Sequence, residues 1–159
     1  MEKNTKLILI TLFCLLSVSS ADIWSYCDGV DPKSLTFTIS ALTLAPNPPV
    51  IGQDATVKVT GNLLQQVTGG ASTFVVQHYV LGHWITLPAF TNSVCQSYTC
   101  PIQPGSITHQ LSIPIPSFTP HYINISFYSL LQGLYRGQLL IVDQSNRNIT
   151  CLEFQTNLN

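Results

Sequence analysis

Residues Leu35–Gly70 read LTFTISALTLAPNPPVIGQDATVKVTGNLLQQVTGG, and the pattern within them decides the fold class. From Phe37 to Thr43 the chain alternates, with Phe37, Ile39 and Ala41 on one side and Thr36, Thr38, Ser40 and Leu42 on the other. A period of two is the mark of a strand that buries one face. Pro46, Pro48 and Pro49 follow. They lack backbone donors and fix φ, so the ladder must stop or move to an edge there. Gly52 permits a turn, and a second run alternates Ala55, Val57 and Val59 against Thr56, Lys58 and Thr60 before Gly61. Two strands joined by a proline-rich reversal predict an antiparallel meander.

The same reading extends to both sides. Leu63–Val67 is expected as a short third strand, and Thr73–Val80 as a fourth, rich in β-branched and aromatic residues. In that run Phe74, Val76 and His78 share one face and Val75, Gln77 and Tyr79 the other, and both faces are apolar enough to be the inner one. Trp84–Leu87 should pair next. Pro88–Gly105 is expected to be a long loop, broken by Pro101 and Pro104. Further strands are expected at Ile107–Ile115, Tyr122–Tyr128, Leu139–Val142 and Ile149–Phe154, with Asp143–Asn148 as a polar turn. No ten-residue window past the first 21 residues has a helical period. The prediction is an all-β sandwich of roughly seven to nine strands.

The first residues carry an address instead of a fold. Lys3 and Lys6 precede an apolar run over Leu7–Leu16, and Ser19-Ser20-Ala21 supplies the small residues of a cleavage site. Residues 1–21 therefore read as a signal peptide and 22–159 as one domain. The apolar run is about ten residues long, too short for the ~20 that a membrane-spanning helix needs. The expected location is extracellular or the endolysosomal lumen.

Beyond residue 21 there are six acids and four bases, a formal charge of −2. So sparse a charge excludes a basic nucleic-acid-binding stripe and strong electrostatic adsorption to anionic membranes. Protonation of His78, His83, His109 and His121 would bring the charge to +2, which matters only in an acidic compartment. Their scatter otherwise reads as ordinary surface and core placement.

Cys27, Cys95, Cys100 and Cys151 remain past the leader, an even set as expected in an oxidising compartment. Three pairings are open. Cys27 with Cys151 would tie the two ends of the domain, and Cys95 with Cys100 would close a short loop, so this pairing is favoured. Zinc ligation competes poorly, because the Cys95–Cys100 spacing exceeds that of a zinc knuckle. The sequons at Asn124 and Asn148 are candidate glycosylation sites and would need to face solvent.

Catalytic patterns are missing: there is no nucleophile elbow, phosphate loop or HExxH, and the acids fall mostly in turns or near the termini. The chain is not expected to be an enzyme or to need a cofactor or metal. Its chemistry lies in apolar residues expected to point inward: Phe37, Ile39, Val57, Val59, Phe74, Val76, Ile123, Ile125, Phe127, Leu139 and Ile141. Composition does not distinguish a filled core from one splayed around a ligand.

Several stretches, in order, resemble the ML lipid-recognition domain family, which includes the Niemann-Pick type C sterol carrier and phosphatidylglycerol/phosphatidylinositol transfer proteins. They are Cys27, LTLAPNPPVIGQDATVKVTG at Leu42–Gly61, VTGG at Val67–Gly70 and CQSYTCPIQPG at Cys95–Gly105, then IPIPSFTPHYINISFY at Ile113–Tyr128 and ITCLEF at Ile149–Phe154. The resemblance implies an immunoglobulin-like sandwich whose sheets part around acyl chains or a sterol, with the eleven inward residues lining the cavity. It also supports the favoured disulfide pairing. The animal sterol carriers have a third cysteine pair that is missing here, so the implied activity is that of a secreted, monomeric phospholipid carrier in transient contact with membranes. Sterol transport and lipid-sensing co-reception are the alternatives. Lys33, Lys58, Arg136 and Arg147 are the only bases available to an anionic headgroup.

Overall fold

The computed structural model describes residues 23–115 and 132–158. Within them, nine strands form two antiparallel sheets. In chain order these are β1 (Trp24–Tyr26), β2 (Phe37–Ala45), β3 (Asp54–Leu63), β4 (Gly70–Val80), β5 (His83–Thr86), β6 (Phe90–Ser93), β7 (Gly105–Pro114), β8 (Gly133–Asp143) and β9 (Asn148–Leu158). The larger sheet has the order β1-β9-β8-β4-β5, with β6 also paired to β4, and the smaller has the order β2-β3-β7. Among the described residues, helix is confined to a 3₁₀ turn at Pro32–Ser34 and the single turn α1 (Val94–Ser97). The expected signal peptide, the expected strand Tyr122–Tyr128, the candidates Ile123, Ile125 and Phe127, and the sequon at Asn124 lie outside the described residues.

Pairing settles which face of each strand looks inward, because directly opposed residues of antiparallel strands project to the same side. Phe74 is opposite Leu139, which is opposite Leu152, which is opposite Tyr26. The Tyr26 hydroxyl reaches across to the backbone of Ile39 in the smaller sheet. That whole row therefore faces inward, which fixes Phe74, Val76 and His78 as the inner set of β4. Val75, Gln77 and Tyr79 project from the outer face.

Three expectations need correction. The alternation of Phe37–Thr43 does not run straight through: the register of β2 against β3 shifts between Ile39 and Ala41. This bulge inserts one extra residue. Past it, Leu42 is opposite Val59 and Leu44 is opposite Val57, so these leucines join Phe37 and Ile39 on the inner face and Ala41 is exposed. Secondly, Leu63–Val67 is not a strand; Leu63 ends β3, and Val67 makes only an isolated bridge to Ile102. Thirdly, Pro88–Gly105 is not irregular throughout, since it contains β6 and α1. Ser93 caps that turn by accepting a hydrogen bond from the Cys95 N–H.

The tight core occupies one end of the sandwich. Leu63, Val67, Val94 and Ile149 are buried there, with Phe37, Tyr98, Ile102, Ile107 and Ile141 packed around them. Cys95 and Cys100, bonded with Cα atoms 5.5 Å apart, close the loop over this end. Cys27 and Cys151, with Cα atoms 5.4 Å apart, fasten the segment after β1 to β9.

Two glycines are required by close approach. A Cβ at Gly61 would strike the ring of Phe37 and the carbonyl of Thr38; one at Gly137 would strike the ring of Phe154 and lie 2.7 Å from the Val75 oxygen. In both places an inward aromatic ring sits against a glycine of the sheet, so bulky side chains pack where the backbone is bare.

Candidate functional site

Between the sheets, the inner rows are mainly apolar. The smaller sheet contributes Phe37, Ile39, Leu42 and Leu44 from β2, Ala55, Val57 and Val59 from β3, and Ile107, His109, Leu111 and Ile113 from β7. The larger contributes Phe74 and Val76 from β4, Leu139 and Ile141 from β8, and Leu152 and Phe154 from β9. The structure thus places all eight described cavity candidates, Phe37, Ile39, Val57, Val59, Phe74, Val76, Leu139 and Ile141, on the two facing surfaces. Sequence reasoning missed Leu42 and Leu44, hidden by the bulge. It also omitted the inner row of β7, whose alternation was visible.

Burial along these rows is uneven. Leu63, Val67 and Ile149 are buried at the packed end, whereas Leu42, Leu44, Val57, Val59, Phe74, Val76, Leu139 and Phe154 are only part-buried. Phe74 and Phe154 stack with centroids 5.6 Å apart. At the end of the larger sheet away from the packed core, His78 stacks on Tyr135, with centroids 4.1 Å apart and rings nearly parallel. His78 is buried and its Nε2 has no hydrogen-bond partner. Burial pushes the Tyr135 phenol above its usual range, and does the same to Tyr98, whose ring lies against His109.

Charge is kept off the inner surfaces. Lys58 projects outward from β3, and Lys33 sits in the 3₁₀ turn, where its N–H donates to Asp31. Arg136 lies on the outer face, its Nε donating to Gln77 and its guanidinium 4.2 Å from the Trp84 ring centroid. Asp143 shares the inner register but ends β8 in the turn to β9. There it accepts from the Ser145 and Arg147 N–H groups and from the Arg147 guanidinium. The backbone hydrogen bond from Arg147, helped by that residue's charge, holds the Asp143 carboxyl below its ordinary range despite burial.

An open concavity of about 830 Å³ lies elsewhere, over the outer face of the larger sheet, where Ser25, Gln77, Arg136, Gln138, Glu153 and Gln155 help to line it. Its walls are mixed, with Ile23, Trp24, Val75 and Phe154 beside the polar side chains, whereas the rows between the sheets are mainly apolar; those inter-sheet surfaces are the candidate site. Among the described residues no three His, Cys, Asp or Glu side chains converge as a metal site would require, and no helix is long and apolar enough to cross a membrane.

The chain matches the family model of the ML domain over residues 21–158. The chain belongs to the ML domain family. A Dictyostelium discoideum protein provisionally named a phosphatidylglycerol/phosphatidylinositol transfer protein is 44% identical to this ML domain protein over 156 residues, 98% of each chain. The phosphatidylglycerol/phosphatidylinositol transfer protein of Aspergillus fumigatus is 29% identical over 133 residues, 80% of this chain and 67% of its own. In fold, the chain is similar to the Niemann-Pick type C2 protein of the Japanese carpenter ant. That match has a TM-score of 0.54 at 11% identity, over 85% of this chain and 99% of the other. It establishes the immunoglobulin-like sandwich.

Proposed function

We propose that this ML domain is a secreted, non-catalytic carrier of a single phospholipid of the phosphatidylglycerol or phosphatidylinositol class, with its acyl chains between the sheets. The observation that carries the reading is the partial burial of the facing rows: they hold no lysine or arginine, yet along their middle Leu42, Val57, Val59, Phe74, Val76 and Leu139 are only part-buried. Hydrocarbon entering between Val57, Val59, Phe74 and Val76 would gain about 0.8 kcal/mol for each methylene removed from water, with no buried charge to desolvate. The headgroup would remain at the end away from the packed core, beyond Leu44 and His78. The names of the two relatives support the phospholipid class, and the leader supports export. Asn148, exposed at the start of β9, is free to carry a glycan on that route. Ile123, Ile125 and Phe127 are proposed to complete the lining.

Native mass spectrometry of the secreted protein tests this, followed by extraction and identification of what is bound. One phospholipid per chain, transferable between vesicles, is the expected result. Bound sterol would redirect the assignment, and failure to load either lipid would leave a filled sandwich.

A further inference from the structure

Residues Tyr79–Phe90, YVLGHWITLPAF, contain no aspartate, glutamate, lysine or arginine. They form the tip of the β4–β5 hairpin and the edge leading to β6. Leu81 and Gly82 make the two-residue turn with φ of 49° and 87°. A turn of this kind favours asparagine or glycine, because the left-handed conformation is strained for a residue with a Cβ. Leu81 incurs that strain and recovers nothing within the chain, since its side chain is 93% exposed. The surroundings are equally unsatisfied: Phe90 is 61% exposed, Ile85 50% and Tyr79 43%.

The apolar apex is graded into polarity. Set back from Leu81, Tyr79 and Trp84 pack together with ring centroids 5.1 Å apart, and behind them Arg136 lies on the Trp84 ring. Leucine outermost, amphipathic aromatic rings next and a cation last is the order of a bilayer interface, from acyl boundary to phosphate. A narrow protruding turn suits a deformable lipid surface better than a flat protein partner. Ile85 is opposite His78 and Phe90 is opposite Phe74, so both share the inner register. The apolar strip therefore runs from the apex to the inter-sheet rows.

We propose that the β4–β5 hairpin is the membrane-docking element of this protein: Leu81 enters the headgroup–acyl boundary of a phospholipid bilayer and Ile85 and Phe90 form the track along which lipid passes. The role of the track rests on the carrier reading above; docking itself does not.

Leu81→Asn separates docking from folding, because asparagine tolerates the left-handed turn and should leave the thermal midpoint equal or higher. Association of the purified chain with mixed phosphatidylcholine and phosphatidylglycerol vesicles is measured by co-sedimentation, with Leu64→Asn as the control. Leu64 is 53% exposed but stands at the other end of the sandwich, just after β3. Losing one buried leucine predicts roughly tenfold weaker association for Leu81→Asn and no change for Leu64→Asn. Unchanged binding by Leu81→Asn, an equal loss from both variants, or no binding by the parent would overturn the proposal. A parent dimer that Leu81→Asn dissociates would assign the hairpin to a second copy instead and likewise overturn it. Lipid occupancy is read on the same preparations: empty protein whose docking still depends on Leu81 would refute the carrier reading and leave docking standing.

Discussion

The hydroxyl of Tyr26 accepts a 2.8 Å hydrogen bond from the Ile39 N–H and lies 3.4 Å from the Ile39 carbonyl, to which it donates. One phenol thus ties β1 of the larger sheet to β2 of the smaller at the residue where β2 bulges. The bulge takes backbone groups out of the ladder, and the hydroxyl replaces the missing partner. Tyr26→Phe keeps the ring and strands a part-buried N–H, so stability should fall by about 1–2 kcal/mol. Urea denaturation measures it, and an unchanged midpoint would mean that solvent already serves Ile39.

Gly137 is predicted to be intolerant of a side chain. The Cβ of Gly137→Ala collides with the Phe154 ring and the Val75 carbonyl, a crowding expected to cost about 1–3 kcal/mol. Adding Phe154→Leu relieves the ring but not the carbonyl. Thermal unfolding of the double variant should therefore recover part of the loss.

Asp143 gives the fold a sensitivity confined to strong acid. Its folded carboxyl titrates below the ordinary value of 3.8, so the ionised form is the one that stabilises. That contribution is complete above the unfolded pKa and is lost as pH falls through the lower, folded one. The Asp143–Arg147 turn should be unaffected between about pH 5 and 7, the range of endolysosomal and extracellular fluids, and should weaken below about pH 4. Asp143→Asn should be less stable than the parent at neutral pH, with the difference shrinking in acid. A difference that persists undiminished at about pH 2 would show that the carboxylate is not responsible.

The Cys27–Cys151 bridge encloses nearly the whole domain, with a sequence separation of 124. Replacing both cysteines by alanine should cost about 2–5 kcal/mol, because the unfolded chain regains the freedom of a long loop. Losing the Cys95–Cys100 bridge, whose separation is 5, should cost less. Thermal midpoints of the two double variants rank them.

Filling the inter-sheet space should block loading without unfolding the protein. Val76→Trp adds bulk to the inner row of β4 and retains β propensity. If acyl chains occupy this space, lipid recovered per chain should fall severalfold while the circular dichroism spectrum is retained. Unchanged occupancy would place the ligand elsewhere.

The alternating runs made most strands legible, because a period of two is a local property of a half-buried strand. Other features were not local. Nothing in TISALTL marks Ser40 as the site of an extra residue; the shift follows from pairing with β3 and from the Tyr26 hydroxyl, thirteen residues before Ile39. In STFVVQHYV both faces carry apolar residues, so only the partners on β8 decide that Phe74 and Val76 look inward. The hairpin tip was hidden for the opposite reason. Leu81 falls between the expected strands Thr73–Val80 and Trp84–Leu87, but only the backbone shows it at positive φ with its side chain exposed.

The sequence by itself determined the all-β class, the alternating apolar runs, an even set of cysteines past residue 21 and the membership of the ML domain family. All of these rest on residue type and spacing along the chain. Tertiary structure alone decided the inner register of β2 and β4, the confinement of the packed core to the Leu63–Ile149 end, and the exposure of Leu81. Each of those depends on which backbone lies alongside, and pairing across dozens of residues is set by the energy of the whole sandwich and not by any one stretch.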